Sequence, residues 1–411
     1  MKRTMLVVVG AGASVKANVP GASELLEPVL EALPTIVVPG TAFSSARYPD
    51  SIHGPYDRRV RVADLLSSAI LAQNGRIDFE LVLRSIESLL SYTALPIVSY
   101  TQPKPEFARL LDWSVLSQAH DAATKAVRNA IVQREPPKPE QIEARDNVRF
   151  LFQELAKDFR LILSTLNYDD LLDDTLTWSD GFYEAGSSDY ALFDPLRWRE
   201  TEISSEHLMM HIHGSVRFGF RKGDDLIRGG ARFDEPARYP DAEKAAASTE
   251  GTYTSPRSVD GQDLIGGTII AGGDKGARLV FNMRPYGYYF STLQHSIPDA
   301  DCMLIVGYGW NDEHVTQLIQ EYADIHPDRK IAVITRRSGR DLGKNTKKDT
   351  ILRQLGKTEW AKIENLTYEP FGAGSTPNWT HRAAGRLYVV TTGMPLKQDE
   401  VDAVLTFLRK P

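Results

Sequence analysis

The stretch Met5-Leu6-Val7-Val8-Val9-Gly10-Ala11-Gly12-Ala13-Ser14 decides how this chain is read. Five apolar residues in succession, rich in Val and without polar alternation, are the pattern of a parallel strand covered on both faces. At Gly10 the pattern breaks into a glycine-rich loop. A helical stretch over 22–33 follows, with Leu25, Leu26, Val29 and Leu30 on one side. Glycines at such a turn let the backbone approach a pyrophosphate, and a helix N-terminus behind it offers free N–H donors. The loop alone also fits a plain tight turn.

Three later elements repeat the arrangement. The run Leu161 to Thr165 precedes Asn167 and Asp169, Leu208 to His213 precedes Gly214, and Cys302 to Val306 precedes Gly307-Tyr308-Gly309 and Asp312. Each run reads as a buried strand, so the polar residues fall at carboxyl ends of strands, where open α/β sheets bind ligands. The expected fold class is therefore α/β, with a Rossmann-like parallel sheet. The expected site is one for a nucleotide, with an amide and an imidazole beside it.

Blander roles compete for each residue. Asn167 and Asp169 suit helix capping. His211 and His213 are two apart on a strand and face one way, which would allow a metal pair. His207 lies roughly 13 Å from His211 along an extended chain, too far to share the ion. His211 suits a packed or hydrogen-bonded histidine better. A dehydrogenase fits poorly: Val15 holds the place of the third glycine, and the candidate second strand Thr35-Ile36-Val37-Val38 ends in Pro39-Gly40 rather than an acid.

Composition narrows the class. With 42% hydrophobic and 25% charged residues, the 411-residue chain can build a packed core. A net charge of −6 argues against nucleic-acid binding through bulk charge, and no direct nucleic-acid contact is expected. Cys302 is the only cysteine, which excludes an internal disulfide and a four-cysteine zinc module; its apolar surroundings predict a buried structural thiol. No apolar run approaches the roughly 18–20 residues that cross a bilayer, so no membrane association and a cytoplasmic location are expected.

A single domain over 1–411 is expected, with a helical insertion at 60–145 and a loop-rich insertion at 217–284 that includes a strand-like piece at 264–271. Phe79, Val82, Leu83, Ile86, Leu89 and Leu90 define one amphipathic helix. A second spans about 106–133 and is ended by Pro136-Pro137-Lys138-Pro139; further helices are predicted over 147–158, 313–324 and 398–409, and a strand over 331–335.

The ordered set Gly-Ala-Gly-x-Ser, Thr-x-Asn-x-Asp, His-Gly and Gly-Tyr-Gly with a nearby Asp resembles the sirtuin superfamily. It is similar in particular to the bacterial sirtuin-like NAD-hydrolysing effectors of antiphage defence. Val19-Pro20 and Asp78-Phe79-Glu80 also resemble that branch. The resemblance implies that Gly10, Ala11, Gly12, Ala13 and Ser14 hold the NAD diphosphate, and that Asn167 and His213 are the catalytic pair. Asp169 would lie near the nicotinamide amide, Gly307, Tyr308 and Gly309 would line the ribose or adenosine side, and Thr165 and Asp312 are further cofactor-binding candidates. Deacetylating sirtuins differ: they carry Pro-Asp-Phe-Arg after the glycine loop, where Pro20 here precedes Gly21-Ala22-Ser23. They also have Gln in the slot of Leu166, and a zinc module that one cysteine cannot make.

By that resemblance, NAD is the substrate, no metal is needed, and the products are nicotinamide and ADP-ribose. Unregulated NAD hydrolysis would poison the cell that makes it. A latent enzyme is thus expected, switched by homo-oligomerisation or by a partner, a HerA-type ATPase before an Argonaute-like protein, in an abortive antiviral response. An NAD-dependent protein deacylase and a non-catalytic NAD- or ADP-ribose-binding subunit are the alternatives.

Overall fold

The computed structural model describes residues 2–21, 23–38, 58–75, 77–93, 113–134, 136–184, 189–204, 206–219, 236–249, 268–270, 284–336, 380–382, 386–390, 393–394, 396 and 398–409. In chain order the strands are β1 (Arg3–Val9), β2 (Thr35–Val38), β3 (Arg58–Arg61), β4 (Phe159–Thr165), β5 (Phe182–Glu184), β6 (Ala191–Phe193) and β7 (Leu208–His211). They continue as β8 (Phe218–Gly219), β9 (Ala237–Arg238), β10 (Cys302–Val306), β11 (Lys330–Ile334), β12 (Thr380–Arg382) and β13 (Leu387–Val390). The helices are α1 (Leu26–Ala32), α2 (Val62–Asn74), α3 (Phe79–Thr93), α4 (Trp113–Val132) and α5 (Pro139–Asp158). After them come α6 (Pro195–Ile203), α7 (Ala242–Thr249), α8 (Tyr286–Ser296), α9 (Glu313–Ile325) and α10 (Gln398–Arg409).

Among the described residues, seven strands form the main sheet in the order β12-β13-β11-β10-β1-β4-β7. All its pairings are parallel except that of β12 with β13 at one edge. This is the α/β, Rossmann-like architecture expected from the apolar runs. From β1 the chain builds outward through β4 and β7 on one side and through β10, β11 and β13 on the other. The order therefore reverses between β1 and β10, and the crevice at the carboxyl ends of that pair is where such sheets bind ligands.

Alternation along the buried strands supplies two cores. Leu6, Val8, Ile162, Met210, Met303 and Ile305 face one layer, closed by α6, α8 and α9 through Trp198, Tyr289, Leu293 and Ile319. Met5, Val7, Leu163, Cys302 and Leu304 face the other, closed by α5 and α10 through Phe152, Leu155, Val404 and Leu408. Period-two alternation between two apolar layers explains why these strands read as unbroken hydrophobic runs. Burial in the second layer pushes the Cys302 thiol up to about 12, as suits a structural cysteine.

A third core is helical. Val29 of α1, Leu66 of α2, Val82 and Ile86 of α3, and Leu116, Ala119, Ala123 and Val127 of α4 pack together, with Tyr168, Val216 and Ile269 from the loops above the sheet. This cluster thus leans on the strand ends.

Several local expectations need correction. The helix predicted over 22–33 begins only at Leu26, and the glycine loop leads first into two single 3-10 turns, Ala11–Ala13 and Val15–Ala17. The helix predicted over 147–158 starts at Pro139, because proline is tolerated at the first helical position; Gln141 Oε1 accepts from Lys138 N at 2.7 Å. Thr35–Val38 is a strand but lies outside the main sheet, pairing antiparallel with β3. The strand predicted over 208–213 ends at His211. Of the piece at 264–271, only 268–270 lie within the described residues; of the helix predicted over 106–133, only 113–133 do, and the helix runs over Trp113–Val132. No helix among the described residues is long and apolar enough to cross a membrane.

Leu304 is fully buried in the central β10, whereas Leu71 on α2 is 46% exposed. Leu304→Ala is expected to lower the unfolding free energy by about 2–5 kcal/mol. Leu71→Ala should shift it by no more than about 0.5 kcal/mol, both read from urea transitions.

Candidate functional site

Parallel register brings the four loops together. Val9 pairs with Val306 on one side and with Thr165 on the other, and Thr165 pairs with His211. The chains leaving β10, β1, β4 and β7 therefore emerge side by side at one end of the sheet.

At the crevice, backbone meets backbone. Gly10 N donates to Val306 O at 2.9 Å and Gly12 N to Gly307 O at 3.0 Å. Gly307 has φ +61, and a Cβ there would lie 2.2 Å from Ala13 N; a Cβ on Gly12 would lie 2.8 Å from Gly307 O. Only glycine allows this approach. The glycines thus close two loops on each other, and the amides of Ala13 and Ser14 also have backbone acceptors, Gly10 O and Ala11 O. The α-helix N-terminus expected behind the loop is replaced by 3-10 turns. Ala13 itself is core.

A polar chain runs beside this contact. Thr165 Oγ1 accepts from Asn167 N at 3.1 Å, so the threonine sets the start of the loop that carries the amide. Asn167 Nδ2 donates to Ser14 Oγ at 2.9 Å. Asn167 is 5% exposed, and among the described residues its buried Oδ1 has no hydrogen-bond partner. An unpaired buried acceptor costs free energy, on the order of 1–3 kcal/mol. Asp169 Oδ1 accepts from Leu171 N at 3.0 Å, the capping role open to it from sequence. Burial pushes the Asp169 carboxyl above the usual carboxylate range, against hydrogen bonds from Leu171 N–H and the Ser14 hydroxyl.

The imidazole comes from the far side. His213 Nε2 lies 3.0 Å from Asp312 Oδ2, so the β7 loop reaches the β10 loop across the ends of β4 and β1. Three strand spacings amount to roughly 14 Å; both loops therefore curl inward to meet. Asp312 is fixed as the N-cap of α9, its Oδ1 accepting from Val315 N at 3.3 Å. Tyr308 supports it, its hydroxyl donating to Asp312 O at 2.6 Å and contacting Thr316 Oγ1 at 2.9 Å. Gly309 is exposed beside this turn.

His211 goes elsewhere. Its Nε2 lies 3.2 Å from Asp173 Oδ1, while Asp173 Oδ2 accepts from Arg217 at 2.9 Å. Burial alone would raise Asp173; His211 and Arg217 together outweigh it and hold the carboxyl below its ordinary range. The two histidines thus serve different carboxylates. Among the described residues no group of three potential ligands could hold a metal ion.

The site also uses residues that no sequence signal marked. Arg134 donates to Asn18 O, Gln141 Nε2 to Asn18 Oδ1 at 3.2 Å, and Arg145 Nε to Ala17 O at 3.1 Å. The end of the glycine loop is therefore gripped by α5 and the turn before it. Tyr168, between Asn167 and Asp169, packs edge-on against Phe79, and its backbone carbonyl accepts from Val216 N at 2.8 Å.

The raised Asp169 has a signed consequence. A folded-state pKa above the unfolded value, about 3.9, means that ionised Asp169 costs stability above its folded pKa and nothing below the unfolded one. Asp169→Asn keeps the acceptor for Leu171 N and removes the charge. It should raise Tm by a few degrees at pH 7, and the gain should vanish below about pH 4 in thermal melts across pH.

A family model described as SIR2-like domain matches residues 161–359. That stretch carries Asn167, Asp169, His213, Gly307 to Gly309 and Asp312, while β1 and its glycine loop precede it. No curated protein matches the chain. Among solved structures, it is similar to Sir2Tm bound to a propionylated peptide, at 11% identity and a TM-score of 0.32, covering 82% of this chain and 83% of that one. It is also similar to a Sir2 homolog–NAD complex, at 12% identity and a TM-score of 0.31, covering 82% and 78%.

Proposed function

We propose that this chain is a sirtuin-superfamily NAD hydrolase that releases nicotinamide and ADP-ribose. One observation carries the reading: a buried, partnerless Asn167 Oδ1 on an amide whose Nδ2 is fixed by Ser14. Such an acceptor, held in place beforehand, suits an incoming O–H donor. The donor set fits a nicotinamide-ribose better than a metal or a polyanion. It offers an amide, a hydroxyl, a carboxyl shifted toward its protonated form and an imidazole.

NAD brings a ribose–pyridinium bond whose leaving group, nicotinamide, departs as a neutral molecule, so no general acid is required. Asn167 Oδ1 accepts a hydrogen bond from water and aims its oxygen at the anomeric carbon, a positioning effect worth several kcal/mol. His213 takes the proton that this water loses as its oxygen bonds to carbon and the carbon–nitrogen bond breaks. Asp312, its Oδ2 3.0 Å from His213 Nε2, stabilises the charge the ring acquires. Asp169 faces the amide of the leaving group. Gly307 to Gly309 line the sugar side. With the glycine-loop amides at 10, 12, 13 and 14 already bonded, the loop meets a diphosphate through fewer donors than its sequence suggests.

On this reading the enzyme is latent in the cytoplasm. It depletes NAD in antiphage defence when a homo-oligomer or a partner, a HerA-type ATPase before an Argonaute-like protein, releases it. A deacylase would consume NAD only with an acyl-lysine peptide, and a regulatory module would bind without turnover.

Chromatographic product analysis with NAD, with and without an acetyl-lysine peptide, tests the assignment. With the native complex from infected cells, nicotinamide and ADP-ribose should form without peptide. Asn167→Ala and His213→Ala should each lose at least about a hundredfold in kcat, as for removal of a positioned catalytic group. Peptide-dependent release would replace the hydrolase with a deacylase.

A further inference from the structure

The turn that carries His213 has no strand of its own to hold it, since β7 ends at His211. Residues 268–270 hold it instead, as a strap. Gly214 bridges antiparallel to Ile269, Ser215 N donates to Thr268 O at 3.2 Å, and Ile270 N donates to His213 O at 2.8 Å. Gly214 has φ +90, and a Cβ there would lie 2.1 Å from Thr268 O, so strap and turn touch backbone to backbone.

The strap is tied down from α4. Arg128 is 2% exposed; its Nη2 donates to Phe218 O at 2.7 Å and to Thr268 Oγ1 at 3.0 Å. Among the described residues no carboxylate comes within ion-pair distance of it, and its Nε is buried without a partner. Burial pulls its pKa down to about 10, with Asp121 and Tyr286 acting the other way. A buried guanidinium without a paired anion is a poor source of stability, and an apolar side chain of similar volume would be cheaper to bury. What the fork does supply is geometry, because its planar donors engage two segments at once. Those segments, Phe218 just beyond the His213 turn and Thr268 in the strap, enclose the turn.

We propose that Arg128 is a positioning residue for His213, acting through the strap 268–270 to fix the turn that presents the imidazole. The proposal rests on the reading of His213 as the proton acceptor. It makes α4 the element whose displacement would loosen the imidazole while leaving the contact between the glycine loop and Gly307 in place.

The test uses the full-length protein in its native assembly, comparing wild type with Arg128→Met, Arg128→Lys and Thr268→Val. Amide hydrogen exchange is read at Ser215 and Ile270, with Gly12 as the reference. Nicotinamide release from NAD and equilibrium binding of ADP-ribose are measured in parallel. Arg128→Met and Thr268→Val should speed exchange at Ser215 and Ile270 by about tenfold or more, with Gly12 within about twofold. They should lower kcat by roughly 10–100-fold while KM and ADP-ribose affinity stay within about threefold. Arg128→Lys, able to keep one of the two bonds, should restore part of both.

Thr268→Val leaves the bond to Phe218 intact and keeps the test open if Arg128→Met does not fold. Unchanged exchange at Ser215 and Ile270 would overturn the proposal, as would exchange that rises equally at Gly12. Full turnover despite freed amides would overturn it alone. Absence of nicotinamide release by the wild-type assembly would instead overturn the hydrolase reading beneath it.

Discussion

Backbone lies against backbone where the loop after β1 meets the loop after β10, and the site depends on that contact. Gly12 N reaches Gly307 O only because neither position carries a Cβ. The closure sits at the point where strand order reverses, so connections diverge to either side and leave a crevice between them. With the two loops locked together, Ser14 is presented toward Asn167 on one side. Asp312 is turned back toward His213 on the other.

Around that contact the molecule separates stability from chemistry. The sheet is sealed by two apolar layers, and a third core of helices rests on the loops above it. Among the described residues the candidate site is polar, buried and incompletely satisfied: Asn167 Oδ1 has no hydrogen-bond partner, Asp169 is ionised with difficulty, and Arg128 is buried without a matching anion. Each of these opposes folding locally. A well-packed scaffold can tolerate such groups, and they lie at the end of the sheet where the candidate site sits.

Much of this was legible in the residue order. The unbroken runs at 5–9, 161–165 and 302–306 named the central strands, because burial between two layers leaves no room for polar alternation. Placing Asn167, His213 and the Gly307 loop at strand ends followed directly. The reading failed where a local pattern allowed two outcomes. Thr35–Val38 has strand character but pairs antiparallel with β3, outside the main sheet. The glycine loop reads as a lead into a helix but forms 3-10 turns packed on Gly307. The proline cluster at 136–139 does end the preceding helix, at Val132, but Pro139 also opens the next one, well before the expected 147, because the same ring fits the first turn of a helix.

By itself, then, the sequence determined the α/β class, the central strands and the residue types at their carboxyl ends. These depend on each residue's near neighbours and on the period of burial. Only the tertiary structure decided partnerships. His213 meets Asp312 while His211 turns to Asp173, and Arg128 in a distant helix ties the strap beside Gly214. Such pairings follow from strand order and from which loops share an edge, and no short-range pattern encodes the order in which strands line up.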